Sequence, residues 1–183
     1  MGICERNIAI TDVETTGIDV ASHEIIEIGL VVIAQPGLEI VSTLSIKVRP
    51  EYPERITEEA ERINGYNAHD WRDAVSLREA MEQYAELVRG AIFAAHNPTF
   101  DYAFIAEAFR KTGIEDPMDY HRIDEWTLAW SGLRDRCPEK LGLSDIAILL
   151  GIRPEPYPHR AINGAMTSYN ILKHLLGRGV EAG

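Results

Sequence analysis

Two acidic residues near the N-terminus, Asp12 and Glu14, are the first candidates for chemistry in this sequence. They follow an apolar run and are separated by a single residue. On an extended strand, residues two apart point to the same side, so both carboxylates would share one face. Carboxylates that close repel each other unless a cation lies between them, and hard oxygen ligands suit Mg²⁺ or Mn²⁺. The pair therefore predicts a divalent-metal site, against the simpler interpretation of a solvated strand end.

Two later segments carry side chains that suit the same chemistry. Residues 95–101 read A-H-N-P-T-F-D, and residues 159–162 read H-R-A-I. Together with D-V-E-T-T-G at 12–17, they resemble, in order, the three motifs of the DEDD-type 3′→5′ exonucleases. This is the family of DnaQ and of the proofreading epsilon subunit of bacterial DNA polymerase III. Shorter similarities lie at 63–66, 123–129 and 141–146, so the resemblance spans nearly the whole chain.

The resemblance implies an α/β fold of the ribonuclease H-like type, a five-stranded mixed sheet flanked by helices, in one domain over 1–183. It implies metal-dependent 3′→5′ hydrolysis of single-stranded nucleic acid to nucleoside 5′-monophosphates, with two Mg²⁺ or Mn²⁺ ions. The T-T-G that ends the first motif favours DNA over RNA, and a polymerase or another replication or repair protein is an expected partner. The alternative from another class is a catalytically silent nucleic-acid-binding or polymerase-associated module.

The same resemblance assigns the catalytic residues. Asp12 would touch both metal ions, Glu14 would touch one, and Asp101 would be the third acid. Standing alone, Asp101 would instead be a helix-N-terminal charge favoured by the helix dipole. His159 would be the general base for the attacking water, because an unperturbed imidazole titrates near neutral pH. Its simpler interpretation is a surface histidine at a helix start. Position 160 is Arg where the other subclass has Tyr, which favours the His subclass.

Five further residues are expected to contact the substrate. Thr15, Thr16 and Gly17 would approach the sugar and base of the terminal nucleotide through backbone and hydroxyl groups. Asn97 and Phe100 lie beside Asp101 in the second motif. Phe100 suits stacking on a base, since aromatic stacking tolerates any sequence, but it suits packing against Phe104 one turn later equally well.

One position departs from the family pattern. The family has a final Asp five residues after the motif-three His, and here that position is Gly164. Glycine inside a helix costs about 1 kcal/mol relative to Ala, and nothing in the neighbouring sequence demands it. Three explanations stay open: a natural variant with a weakened second metal site, a binding module without catalysis, or an introduced inactivating change.

The net charge and the hydropathy of the sequence limit the kinds of partner that can be expected. The net charge of −11 argues against a protein that coats nucleic acid, but it is compatible with a small nuclease pocket and predicts weak, poorly processive binding. No apolar run approaches the length of a membrane span, and the N-terminus does not resemble a secretory signal. Cys4 and Cys137 are expected to be ordinary thiols of a cytoplasmic protein.

Periodicity and turn signals predict the elements that position these residues. Strands are expected at 7–13, 24–34 and 39–49 as an antiparallel meander, and again at 91–95 and 121–124. Helices are expected at 57–62, 76–89, from Pro98 to about 111 with Asn97 as cap, at 144–150 and at about 160–176.

Overall fold

A computed structural model describes residues 2–136 and 139–177 of the chain. The strands are β1 (Ile8–Thr15), β2 (Ile25–Ala34), β3 (Glu39–Lys47), β4 (Ile92–Ala95) and β5 (Arg122–Asp124). The helices are α1 (Glu58–Asn64), α2 (Leu77–Leu87), α3 (Pro98–Thr112), α4 (Glu125–Leu133), α5 (Leu143–Leu149) and α6 (Ala161–Gly177). Short 3-10 turns lie at Ile3–Glu5, Pro53–Arg55 and Arg134–Arg136.

The five strands form one mixed sheet in the order β3-β2-β1-β4-β5. β1, β2 and β3 pair antiparallel, whereas β4 lies parallel to β1 and β5 lies parallel to β4. The parallel pairing of β1 with β4 covers Ile8 to Ile10 only, so the C-terminal half of β1 extends beyond the end of β4. The predicted meander and the predicted five-stranded mixed sheet are both confirmed.

Helices cover both faces of this sheet, and each face has its own apolar core. On one face α2 and α3 pack against alternate strand residues such as Ala9 and Val13. On the other face α6 packs against the intervening residues, including Ile8 and Ile10. Because side chains alternate along a strand, the residues that continue the α6 face of β1 are Asp12 and Glu14. One face of β1 is thus apolar in its first half and acidic in its second.

A close approach between α6 and the sheet brings the last helix to that acidic half. Gly29 on β2 lies directly opposite Asp12 on β1. A Cβ built at Gly29 would overlap the backbone of Ala161 and Ile162 at the start of α6. Glycine is therefore required at 29, because any side chain there would push the start of α6 away from the sheet.

Most helix boundaries follow the expected signals. The side chains of Thr57 and Ser76 cap α1 and α2 by accepting hydrogen bonds from backbone N–H groups. Gly113 ends α3 in the left-handed conformation. Asn97 differs from the prediction, because its side chain makes no capping hydrogen bond and only its carbonyl accepts from Phe100 and Asp101.

Helix α4 was not predicted. It begins directly after β5, with the side chain of Asp124 accepting from the N–H of Thr127 at 3.1 Å. It buries Ala129 and Leu133 against Ile171 of α6. Trp126 and Trp130 of this helix are half exposed, whereas Trp71 is buried.

The described residues include one of the two cysteines and all the helices that were compared with a membrane span. Cys4 is an exposed free thiol, and Cys137 lies outside the described residues. Within 2–136 and 139–177, none of the helices combines the length and the apolar character that crossing a bilayer requires.

Candidate active site

The acidic half of β1 forms one wall of the candidate site. Asp12 and Glu14 lie on the face of β1 that continues toward α6, as their spacing predicts. Glu14 is 9% exposed, and its cross-strand partner on β2 is a second acid, Glu27, at 2% exposure. Directly opposed residues of an antiparallel pair have adjacent side chains, so two carboxylates lie side by side at this level.

Asp101 reaches the same place from the first turn of α3. Its Oδ1 accepts a hydrogen bond from the backbone N–H of Val13 at 3.2 Å, and the residue is 5% exposed. Val13 lies on the part of β1 that extends past β4, so its N–H has no strand partner on that side. The structure therefore brings together Asp12, Glu14 and Asp101, from two segments that are far apart in sequence.

Burial and the repulsion between neighbouring acids disfavour the ionised form of these carboxylates. Burial, followed by the charges of Asp101 and Glu14, raises the pKa of Asp12 well above its usual value. Burial and the charge of Glu27 raise the pKa of Glu14 to about 8, although Arg160 partly opposes the shift. Burial raises the pKa of Asp101 to about 7, with the Val13 hydrogen bond opposing it. Such a cluster can be fully ionised at neutral pH only if positive charge is supplied.

Among the described residues, Glu27 leaves one oxygen of its buried carboxylate, Oε2, without a hydrogen bond. Burial raises the pKa of Glu27, while the charges of Arg160 and Lys47 and the backbone N–H of Ala161 oppose the shift. Glu27 thus stabilises the N-terminus of α6 while adding to the negative charge beside Glu14.

These observations provide a test of whether a divalent metal fits. Within residues 2–136 and 139–177, no group of three or more His, Cys, Asp or Glu side chains is arranged so that it could hold a metal ion as the side chains stand. The donor chemistry nevertheless fits, because buried carboxylates with raised pKa values and an orphaned carboxylate oxygen are what a hard cation would stabilise. Asp12, Glu14 and Asp101 are the residues that would hold it.

His159 enters the site from the segment that precedes α6. Its backbone N–H donates to the carbonyl of Ile63 at 3.0 Å, which ties this segment to the end of α1. Its Nδ1 lies 3.3 Å from Oε1 of Glu155, whose side chain is 7% exposed. Glu155 also contributes to the raised pKa of Asp12 and of Glu14, so its charge lies near both.

Gly164 lies directly over Asp12. A Cβ built at position 164 would stand 2.6 Å from Oδ2 of Asp12 and 2.7 Å from its Cγ. The contact comes from a carboxylate that is distant in sequence, and a side chain at 164 would require Asp12 to turn aside. Position 164 faces the acidic cluster, where the family pattern has its final Asp.

An open cavity of about 530 Å³ adjoins Glu14. Its lining includes Glu14, Thr15, Gly17, Ile18, Ile63 and Phe100. Cavities of 300–1,000 Å³ with apolar walls and a few polar groups are typical of small-ligand sites, and a nucleotide falls in that range. Ile18 is 86% exposed at the mouth, so apolar surface is offered to the solvent beside the acids.

The five expected substrate contacts are placed differently from one another. Thr15, Gly17 and Phe100 line the cavity, and the ring of Phe100 also packs against Phe104 with centroids 5.1 Å apart. Thr16 is buried, and its hydroxyl is engaged by His23 Nδ1 and by the N–H of Glu24. Asn97 lies in a neighbouring cleft with Ile18 and Phe100 rather than in the cavity beside Glu14.

Arg160, the residue after His159, is held by contacts within the protein. It is half buried, donates to the carbonyl of Asn64, and lies 5.4 Å from the ring centroid of Trp71. Asn64 in turn donates from Nδ2 to the carbonyl of Thr15 at 3.1 Å. The end of α1 therefore connects the last residue of β1 to the segment before α6.

Glu27, Glu155 and Asn64 were not predicted as site residues. Glu27 could have been recognised from the sequence, because it is a single acid inside a strand that is otherwise apolar. Glu155 precedes His159 by four residues, but no helix joins them, so the spacing indicates no contact. The importance of Asn64 depends on a carbonyl 49 residues away in sequence.

Comparison with known proteins identifies the family of this chain. The sequence model of the RNase_T family, described as "Exonuclease", matches residues 9–172. Ribonuclease T of Klebsiella pneumoniae is 30% identical over an alignment of 149 positions that covers 72% of this chain and 69% of that enzyme. A PolC-type DNA polymerase III of Thermotoga maritima is 29% identical over 168 residues, or 91% of this chain. The chain spans only about a tenth of the polymerase, 12% of its length.

Solved structures share the fold. A zinc-bound complex of Escherichia coli exonuclease I with single-stranded DNA matches with a TM-score of 0.80 at 15% identity, covering 97% of this chain and 42% of that one. A 3′-exonuclease that recognises the histone mRNA stem-loop matches with a TM-score of 0.75 at 17% identity, covering 97% and 65%. These likenesses confirm the ribonuclease H-like α/β fold. Because the family pattern covers 9–172 and a related ribonuclease T aligns over most of its own length, this chain belongs to the RNase_T exonuclease family.

Proposed function

We propose that this exonuclease-family domain removes nucleotides from the 3′ end of single-stranded nucleic acid, DNA in preference to RNA, and releases nucleoside 5′-monophosphates. The observation that carries the proposal is the convergence of Asp12, Glu14 and Asp101, all with raised pKa values, beside a cavity of nucleotide size. Related proteins act on or bind both DNA and RNA, as the names of the polymerase and ribonuclease relatives state. The preference for DNA rests on the T-T-G that ends the first motif.

Different residues of the site would bind the metal, accept the proton and contact the substrate. Asp12, Glu14 and Asp101 would hold Mg²⁺ or Mn²⁺, which in a two-metal site stabilises the attacking and leaving oxygens of an in-line displacement. His159 would take the proton of the attacking water. The cavity would hold the terminal nucleotide, with Phe100 against its base and Thr15 and Gly17 beside its sugar. Thr16 would fix the loop after β1 through its hydrogen bond with the N–H of Glu24. Asn97 would border the neighbouring cleft that also contains Ile18 and Phe100.

Hydrolysis and its direction can be tested together. A single-stranded DNA with a 5′ label should shorten stepwise in the presence of Mn²⁺, while the same DNA with a 3′ label should release labelled mononucleotide at once. The matched control is Asp12→Asn, which keeps the shape of the side chain and removes its charge. The opposite order of label release would overturn the 3′→5′ direction, and equal cleavage by Asp12→Asn would remove the acidic cluster from the reaction.

A second candidate function follows from Gly164. Position 164 faces Asp12 without offering a ligand. A domain that binds single strands or a polymerase without cutting would retain the cavity and tolerate the missing acid. It would bind a labelled oligonucleotide in Mg²⁺ or Mn²⁺ and return it intact after prolonged incubation. The PolC-type relatives are consistent with a polymerase partner in either case.

A further inference from the structure

We propose that Glu155 is the positioning residue of His159, holding its imidazole in the orientation and tautomer that a general base requires. The inference rests on the proposed function, in which His159 is the base. Nδ1 of His159 and Oε1 of Glu155 are 3.3 Å apart, the distance of an ion pair between the two side chains. A carboxylate at Nδ1 favours a proton on that nitrogen, which leaves the lone pair on Nε2.

The residues around Glu155 and His159 restrict the movement of both side chains. Glu155 is almost completely buried at 7% side-chain exposure, whereas His159 is 38% exposed and can reach the solvent. The ring of Tyr157 meets the His159 ring edge-on at 5.8 Å. Pro156 and Pro158 restrict the intervening backbone, because proline fixes φ. A short, stiff loop therefore presents both partners from one side of the site.

The position of the loop is also fixed from outside. The N–H of His159 donates to Ile63 and the hydroxyl of Tyr157 donates to Arg62, both at the end of α1. These contacts hold the backbone of the loop, but they do not set the rotation of the imidazole. The imidazole itself contacts the edge of the Tyr157 ring and the Glu155 carboxylate, and of these two the carboxylate faces Nδ1.

Burying Glu155 has a cost that calls for an explanation. The carboxylate lies near Asp12 and Glu14, and its charge adds to the repulsion that raises their pKa values. A side chain placed only for stability would avoid that neighbourhood. The contact of its Oε1 with Nδ1 of His159 at 3.3 Å explains why the carboxylate lies there.

The decisive measurement is a double-mutant cycle on turnover. Glu155→Ala should lower kcat about tenfold to a hundredfold with little change in KM, the range typical of losing a partner that orients an imidazole. His159→Ala and Glu155→Ala/His159→Ala should then have equal residual rates, because Glu155 acts through His159. A double variant slower than His159→Ala by the full Glu155 effect would overturn the proposal.

Two further readouts separate positioning from other roles. Glu155→Ala should leave the affinity for Mn²⁺ in calorimetry unchanged, and a tenfold loss would make Glu155 a metal ligand instead. Glu155→Gln, which keeps the shape and an acceptor oxygen, should fall between wild type and Glu155→Ala. The exposed Glu54→Ala is the control for loss of one negative charge and should match wild type. Melting temperatures identify any variant that fails to fold.

A spectroscopic arm keeps the inference distinct from the proposed function. In ¹⁵N NMR of the metal-free protein, the His159 ring, assigned by its absence in His159→Ala, should show the Nδ1–H tautomer. That population should fall in Glu155→Ala. An unchanged tautomer would overturn the inference even in an active enzyme. If no substrate is cut by the wild-type protein, the proposed function fails while the tautomer shift still decides the contact.

Discussion

The carboxylate of Asp12 occupies the space that a side chain at Gly164 would need. A Cβ at 164 would lie 2.6 Å from Oδ2 of Asp12 and 3.0 Å from its Oδ1. This contact exists because Gly29, opposite Asp12 on β2, lets the backbone of α6 approach the sheet. Gly29 on the sheet and Gly164 on the helix thus allow the last helix to lie close to the acidic cluster.

Gly164→Asp should raise both the affinity for Mn²⁺ and the rate of hydrolysis. The new carboxylate would face Asp12, and a divalent ion shared between them would offset the repulsion. Without metal the variant should be less stable than wild type, because Asp12 must turn aside and another buried charge is added. Melting temperatures with EDTA and with Mn²⁺, beside calorimetric titration, measure both effects.

Gly164→Ala is the matched control for that experiment. It supplies the Cβ that displaces Asp12 but no ligand, so metal affinity and rate should both fall below wild type. A Gly164→Asp variant that behaves like Gly164→Ala would mean that another group already fills this coordination position.

The glycine illustrates what could be predicted from the sequence and what could not. The strands were predictable because β-branched and apolar runs are local, and the acids of β1 were predictable because alternation along a strand is fixed. The contact that a side chain at 164 would make is with a carboxylate 152 positions earlier in the chain. Helix α4 was missed because its stability comes from packing against Ile171 of α6, a contact that no local pattern records.

The stability of the metal-free protein should fall as the pH rises from about 4 to 8. The pKa values of Glu14, about 8, and Asp101, about 7, exceed their ordinary values of 4.5 and 3.8. In this range the folded state binds more protons than the unfolded state, so raising the pH favours unfolding. Mn²⁺ should remove most of this slope by replacing the protons. Melting curves at several pH values with EDTA and with Mn²⁺ provide the comparison, and a stability that rises with pH in EDTA would contradict the assignment.

Asp12→Asn should greatly weaken binding of Mn²⁺. Asp12 lies between Asp101, Glu14 and Gly164, so its charge is central to the cluster. The same substitution should stabilise the metal-free protein, since it removes one of several repelling carboxylates. Calorimetric titration and melting in EDTA test the two halves separately, and equal affinity in the variant would exclude a metal site at Asp12.

His159→Ala should lower the turnover rate far more than it weakens substrate binding. A general base acts in the transition state, and its contribution is typically about 10²–10⁴-fold. The 38% exposure of its side chain means that removing it costs little packing. Single-turnover rates should fall while the Kd for a single-stranded oligonucleotide in Ca²⁺, used here as a non-catalytic ion, stays within about twofold. An unchanged rate would remove His159 from the reaction.

Phe100 and Phe104 permit a test of which phenylalanine serves the substrate. Their rings lie 5.1 Å apart, but Phe100 lines the cavity and is half buried, whereas Phe104 is 3% exposed. Phe100→Ala should weaken binding of a single-stranded oligonucleotide by about 1–3 kcal/mol, the amount measured for a stacked base. Phe104→Ala should instead lower stability by about 3–5 kcal/mol, as expected for a buried ring. Affinity and melting measured on both variants separate the roles. If Phe100→Ala loses only stability, its ring serves the core alone and the terminal base must rest on Ile18 or the cavity wall formed by Ile63.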